Sequence, residues 1–433
     1  MRCRASRRAH EVLGASVLVV LLAAPAALPV TPAYAHERAV GARADAARPT
    51  GSRATGARRA RISRKRRAKP PRKAQAPLSP DATKALAAYE AMQKYFYLGS
   101  TNLYREEIGV NSNSFLWPFS QAIAATVSVA HIRGQAAKAS FATGAELHGL
   151  QKYLSNAPPT AVSSTEALQA LPHYTATIAA AGPGATTYYD DNDWVGIEMA
   201  RLYELTHDEG ALSLAEEILA FEQAGWSSST TDACPGGIPH SDAESDENRS
   251  TISTAPAAEL AVQLYRITGD AADLSFAESA YSWVRDCLLM PGNLFADHLE
   301  ANGEVDEELW SYTQGVMIGA GALLYEATGN SGYLDQAQQT AEAAVSAWPL
   351  ETLGAENPFF ASVFLRNLIY LDSLLHNPTG VTLANEYVNW SWNSLHQGDG
   401  LFLSSDGSRT SLLEQAAVAQ IYALLCTEPK TFF

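Results

Sequence analysis

Two aspartates stand side by side at Asp190 and Asp191, inside the run YYDDNDW at residues 188–194. Adjacent carboxylates repel, and that repulsion has a chemical use. It raises one pKa, so that one carboxyl stays a neutral acid while a helix terminus keeps the other ionised. Cleavage of a glycosidic bond needs this combination, a proton for the leaving oxygen and a carboxylate at the anomeric carbon. A retaining mechanism wants the two carboxyls about 5–5.5 Å apart, a spacing that neighbours at a helix start can meet. Tyr188, Tyr189 and Trp194 add apolar surface for sugar faces. The competing reading is helix capping, because acids are favoured at a helix start with no chemistry attached. Metal sites fit less well. A DDxxD diphosphate site needs an acid where Trp194 stands, and a calcium loop needs glycine where Val195 stands. No metal and no cofactor is expected.

Three further stretches carry compatible groups. SFLWPFSQ at 114–121 holds Trp117 and Gln121, with Pro118 suited to a first helical turn. Residues 236–254 hold His240, Arg249, Ser253 and Thr254, of which the last two serve equally as helix caps. Residues 297–315 hold Asp297, His298, Trp310, Tyr312 and Gln314; Asp297 and His298 read equally as a surface pair. No glycine-rich phosphate loop and no G-x-S-x-G elbow occurs.

The elements that must position these groups are helices arranged in a repeat. Tyr203, Tyr265 and Tyr325 are each followed by Thr at +3, Leu at +9 and Ala at +12. Such a period marks a stacked supersecondary unit. Each unit reads as a helix, a tight turn and a second helix, with Gly269 and Gly329 placed for left-handed C-caps. The pattern extends to twelve helices, near 81–98, 118–131, 136–154, 192–205, 210–224, 251–267, 272–289, 311–327, 331–347, 359–376, 380–395 and 411–424. No segment reads as a strand. Six hairpins predict an all-α (α/α)6 barrel, with an open superhelical array as the alternative. Short turns alternate with long connections at 99–117, 155–191, 225–250, 290–310, 348–358 and 396–410. All the long connections therefore fall at one end, where the even-numbered helices begin and their positive dipole ends converge.

YYDDNDW, RSTISTAPAAELAVQLYRITGD and WSYTQGVMIGAGALLYEATGN together resemble glycoside hydrolase family 76, over roughly residues 81–425. The resemblance implies an (α/α)6 barrel and a retaining endo-α-1,6-mannanase activity, or transglycosylation of cell-wall glycans. It implies Asp190 as nucleophile and Asp191 as general acid/base. Trp117, Tyr189, Trp310 and Tyr312 are expected to stack on sugars, and Gln121, Asn192, Asp297 and Gln314 to bond hydroxyls. Two positions depart from the usual motifs: Thr313 stands where the family has Asn in W-x-Y-N-Q-G, and Thr254 where many members have the Asn of S-N-A-P. A non-catalytic glycan-binding envelope protein is the reading from a different class.

Composition bounds the partners. Residues 1–35 read as a secretory signal: Arg2, Arg4, Arg7 and Arg8, then an apolar run, then AYA before His36. Pro25 and Pro29 interrupt the run and weigh against a membrane anchor, and Arg7-Arg8 allows twin-arginine export. Residues 36–78 lack bulky apolar side chains and read as a disordered basic arm, a plain linker or a tether to an anionic envelope polymer. The remaining chain, 79–433, holds 13 basic and 43 acidic residues, a net charge of −30. Such a domain repels nucleic acid and suits a neutral polysaccharide. A uronic-acid substrate would want cationic partners that the domain scarcely has. The expected location is secreted or envelope-associated. Export permits a disulfide, for which Cys234 and Cys287 are the expected pair, against three buried thiols as the alternative.

Overall fold

The computed structural model describes residues 77–155, 171–178, 186–243, 247–404, 407–408 and 410–433. The expected signal segment and nearly all of the expected basic arm lie outside these residues. The long helices are α1 (Pro80–Tyr95), α2 (Leu116–His131), α3 (Tyr189–Thr206), α4 (Glu209–Gly225), α5 (Thr251–Thr268), α6 (Ala271–Leu288), α7 (Ser311–Thr328), α8 (Ser331–Ala347), α9 (Pro358–Leu375), α10 (Thr379–Ser394) and α11 (Leu412–Leu424).

Helices α2, α3, α5, α7, α9 and α11 each pack against the next, and α11 packs back on α2. The ring is therefore closed, an (α/α)6 barrel rather than an open array. The outer layer follows from amphipathicity. Helix α8 buries only Ala337, Thr340, Ala341 and Ala344, one stripe at helical spacing, whereas α7 is buried almost all round. Helices α4, α6, α8 and α10 cover the inner helices that precede them, and α1 covers α11, so the sixth pair joins the two ends of the domain. Glycine sets how closely inner helices approach: a Cβ on Gly315 would lie 2.8 Å from the backbone of Phe364 on α9.

The repeated threonine has a structural reason. Thr206, Thr268 and Thr328 donate their hydroxyls to the carbonyls of Leu202, Leu264 and Leu324. The same hydroxyls accept the amides of Asp208, Asp270 and Asn330 at 3.1–3.2 Å. Those three residues then cap the following helices by accepting the amides of Gly210, Ala272 and Gly332. Between them His207, Gly269 and Gly329 take left-handed φ of 56°, 78° and 71°. One tripeptide thus ends a helix, reverses the chain and starts the next.

Two expectations are corrected. The helix expected at 136–154 is a broken run: 3₁₀ over Ala136–Lys138, α over Ala139–Phe141, π over Ala142–Glu146 and α over Leu147–Leu150. The break serves Glu146, which is fully buried and accepts hydroxyl bonds from Tyr104 at 2.7 Å and Thr126 at 2.8 Å. The extra residue of a π turn is the usual way to aim one side chain out of register. Strands also occur, all two residues long and confined to connections: β1 (Tyr97–Leu98) with β2 (Leu103–Tyr104), β3 (Leu154–Ser155) with β4 (His173–Tyr174), and β5 (Arg249–Ser250), β6 (His298–Leu299) and β7 (Val305–Asp306) as an antiparallel triplet.

Burial raises the Glu146 carboxyl from 4.5 to about 8. Between those values the native state holds a proton that the unfolded chain has released. Its stabilisation is complete below pH 4.5 and is lost as pH rises towards 8. Glu146→Gln cannot ionise, so the melting temperature of the variant relative to wild type should climb by roughly 5 °C or more between pH 5 and pH 8. A constant difference across that range would show that Glu146 keeps an ordinary affinity for its proton.

Candidate active site

Helix α3 begins three residues earlier than its pattern suggests. Tyr188 is the N-cap and its side chain does not cap the helix, so Asp190 and Asp191 lie inside the first turn rather than on the cap. Asn192 fixes this start. Its Nδ2 donates to the carbonyls of Tyr174 at 2.9 Å and Tyr188 at 2.8 Å, and its Oδ1 accepts the Tyr174 amide at 2.8 Å. The turn is strapped to the next long loop as well. The Tyr189 amide donates to the His240 carbonyl at 3.2 Å, and the Thr187 amide donates to the Asp242 carboxylate at 2.8 Å.

That loop is itself pinned. Cys234 and Cys287 form a disulfide that ties it to α6. The Arg249 guanidinium donates to the carbonyls of Ala233, Cys234 and Gly236 at 2.7–2.8 Å. Gly236 and Gly237 take φ of +106° and +81° against Trp283, where any Cβ would collide with the indole. The result sets His240 Nδ1 4.0 Å from Asp190 Oδ1.

The two aspartates differ in surroundings. Asp190 retains 15% of its side-chain exposure; Asp191 is buried at 7%. Burial, and then the charge of Asp190, hold the Asp191 carboxyl well above the usual carboxylate range. Asp190 is also raised by burial, but His240 and the first-turn amides of residues 190 and 191 pull it back. One acid is therefore kept protonated beside one that ionises more easily, the division of labour that acid-assisted nucleophilic substitution needs.

A cleft of about 420 Å³ opens beside the pair, lined by His240, Ser250, Asp297, His298, Trp310 and Tyr312 among others. Asp297 bonds His298 Nδ1 at 2.8 Å, and Glu300 lies 3.2 Å from Nε2. Burial lowers His298, but its two carboxylate partners outweigh that and leave it above the ordinary histidine value. Tyr312 stacks on Phe360 at 4.2 Å, and Trp310 leans on the same ring at 5.5 Å. Trp117 is half-buried, edge-on to Phe359 at 5.0 Å.

Of the residues expected to touch substrate, Asp297, Trp310 and Tyr312 line the cleft. The structure gives others a different use. Tyr189 is 2% exposed and stacks on Phe221 at 4.8 Å, which stacks in turn on His173. Gln314 is fully buried and clamps Phe295, donating to its carbonyl at 2.9 Å and accepting its amide at 2.8 Å. Gln121 accepts from Gln420 at 3.1 Å, inside the ring. Asn192 is the clamp described above. Asn192 and Gln314 thereby hold connections, and Gln121 joins two inner helices, their bonding capacity taken up by backbone or by one another. Phe360 and the His240–Asp190 pair were not singled out from sequence. The signal for Phe360 was the aromatic pair that opens the fifth inner helix.

With this geometry in view, the sequence matches the family model of glycosyl hydrolase family 76 over residues 80–358, and the chain belongs to that family. Its fold is shared with a family 76 mannosidase from Bacteroides thetaiotaomicron VPI-5482, at a TM-score of 0.70 and 20% identity, covering 80% of this chain and 98% of that one. It is also similar to the GH76A α-1,6-mannanase of Salegentibacter sp. HEL1_6, at a TM-score of 0.64 and 21% identity, covering 80% and 98% of the two chains. An inactive variant of that mannanase, with two consecutive aspartates replaced by alanine, was solved with α-1,6-mannotetrose bound; it gives a TM-score of 0.65 at 21% identity and covers 80% and 99%. No curated protein matches the chain.

Proposed function

We propose that the protein is an exported, retaining hydrolase that cleaves α-1,6-mannan or a related α-mannoside within the chain. The observation that carries this reading is the adjacent pair at a helix start beside the cleft, Asp191 buried at 7% and Asp190 keeping 15% of its side-chain exposure with His240 Nδ1 4.0 Å away, an arrangement that raises the carboxyl of Asp191 further than that of Asp190. In the first step Asp190 attacks the anomeric carbon while the glycosidic C–O bond breaks, and the Asp191 proton passes to the leaving oxygen. In the second, Asp191 takes a proton from water, whose oxygen displaces Asp190 from the glycosyl ester. The inactive double-aspartate variant that holds α-1,6-mannotetrose supports this choice of substrate and of residues. The net charge of −30 on residues 79–433 favours a neutral glycan. The Cys234–Cys287 bridge supports an oxidising compartment. The basic arm would then hold the domain near anionic envelope polymer.

The test is incubation of the purified protein with linear α-1,6-mannan. Release of a ladder of mannooligosaccharides is the expected result, with the anomer first released matching that of the substrate. Mannose alone would overturn endo action, and inverted product would overturn the retaining mechanism. Product lengthened by an added mannoside acceptor would move the assignment to transglycosylation.

A further inference from the structure

Beneath the aspartate pair lies a second pair of carboxyls that the reaction does not use. Asp193 sits three residues beyond Asp190, on the same face of α3. Glu222 lies on α4, the hairpin partner of α3. The two helices meet here: the Tyr189 ring stacks on Phe221 and leaves no room for a Cβ on Gly225. Asp193 and Glu222 are each 0% exposed. None of their four carboxylate oxygens has a hydrogen-bond partner among the described residues.

The charges facing this pair are mostly of the same sign. Helix α3 contributes Asp190, which acts on both carboxyls, and α5 contributes Glu259, which acts on Asp193. The connections bring His173, ring-stacked on Phe221, and His240, which is engaged with Asp190. The buried guanidiniums are committed elsewhere. Arg201 and Arg366 both bond Glu198, and Arg366 also reaches Glu259 at 3.6 Å. Among the described residues no cation remains for Asp193 or Glu222. Two ionised carboxylates enclosed without donor or counter-charge are not a tolerable arrangement in a protein interior.

We propose that Asp193 and Glu222 form a neutral, proton-retaining carboxyl pair that positions the first turn of α3 and keeps added negative charge away from Asp190. Burial raises both groups well above the ordinary carboxylate range, in keeping with this. The consequence for the reaction is specific. A charged neighbour below Asp190 would hold the nucleophile in its protonated, inert form, whereas a neutral one leaves it free to ionise. Asp193 and Glu222 are thus positioning residues, acting through Asp190. The inference rests on the reading of Asp190 as nucleophile, and it deepens that reading.

Both failures can be told apart with the full chain. The first arm does not use activity. Asp193→Asn and Glu222→Gln should remove intensity from the protonated-carboxyl stretch in infrared difference spectra at neutral pH. They should also melt progressively later than wild type as pH rises, because wild type must ionise the pair and the variants need not. Spectra showing loss of carboxylate bands instead would overturn the neutral pair. The second arm is kinetic. Asp193→Ala should lower kcat at least tenfold with KM within about twofold, and Asp193→Asn should restore most of that loss. Equal losses in the Ala and Asn variants would overturn the proposal by showing that the charge matters. An Ala variant matching wild type would overturn the positioning role. Absence of turnover in wild type would bear on the mannanase reading alone, because the infrared and melting arms would still report on the pair.

Discussion

Asp190→Ala should leave a folded protein whose kcat on α-1,6-mannan is lower by about 10⁴-fold or more, with Asp191→Ala lower by about 10²–10⁴-fold. The two losses have different chemistry, and azide distinguishes them. Without the Asp190 carboxylate, azide can attack the anomeric carbon of an activated α-mannoside directly, giving a mannosyl azide of inverted configuration. Without Asp191, the glycosyl ester on Asp190 still forms from a substrate with a good leaving group and then waits for a nucleophile. Azide displaces it with a second inversion, so the product keeps the original configuration. Product stereochemistry therefore assigns each residue its role, and identical products from the two variants would sink the assignment. The pH profile carries the same information. In the proposed mechanism Asp191 acts as the acid and must be protonated, and burial beside Asp190 holds it well above the usual carboxylate range. The alkaline limb of kcat/KM should therefore lie far above the pKa of a free aspartate. Asp190 is raised less, so the acid limb falls below it.

Arg366→Ala should cost about 3–5 kcal/mol, enough to lower the melting temperature by roughly 10 °C. Arg366 is buried in the wall of the inner ring. It donates to Glu198 at 3.2 Å, approaches Glu259 at 3.6 Å, and lies 4.9 Å from the Phe433 ring. Arg201 holds the other side of Glu198. Removing Arg366 leaves Glu198 with half its partners and Glu259 with no cation. Burial already pushes Glu259 up to about 8 with Arg366 beside it, so the variant must keep that group protonated. The cost should accordingly grow on going from pH 6 to pH 9, where wild type ionises Glu259 against Arg366. Denaturant titrations at the two pH values measure this directly. A second substitution, Glu259→Gln, should recover part of the loss at the higher pH. A pH-independent cost would mean that Arg366 acts by packing alone.

The barrel was legible because its hairpins repeat. The Tyr, Thr, Leu and Ala positions report a turn in which each residue has one structural job, and the long connections follow by subtraction. The aspartate pair stood out as a candidate because two adjacent acids lie among aromatic residues, although helix capping explains acids at a helix start equally well. The rest was hidden by features with no period. Helix α3 starts at Tyr189 because Asn192 folds back on Tyr188 and Tyr174, a contact with a distant loop that no local pattern announces. Strands two residues long are too short to show alternation. The interior charges were the least visible. Glu198, Arg201 and Arg366 sit at positions that a helical pattern assigns to solvent or leaves unassigned, because only the closed ring makes those faces internal, and Glu222 is enclosed by the packing of α4 on α3. Tyr189 and Gln314 show the converse. Their residue types suit a sugar, but the chain spends them on stacking and on clamping Phe295.

The pairing of α1 with α11 changes how stability is shared around the ring. In a linear stack of hairpins the terminal units have one neighbour each, fray first, and need polar caps. Here every inner helix has an inner neighbour on each side, so no terminal unit offers an edge from which unfolding can creep inward. The same closure delays assembly. The contact between the first and last helices spans nearly the whole domain, and its loop-closure entropy must be met before the ring gains from being a ring. A chain still emerging from synthesis therefore holds at best five-sixths of a barrel. Until that last helix arrives the molecule stays open, and the ring closes only once the whole domain is available.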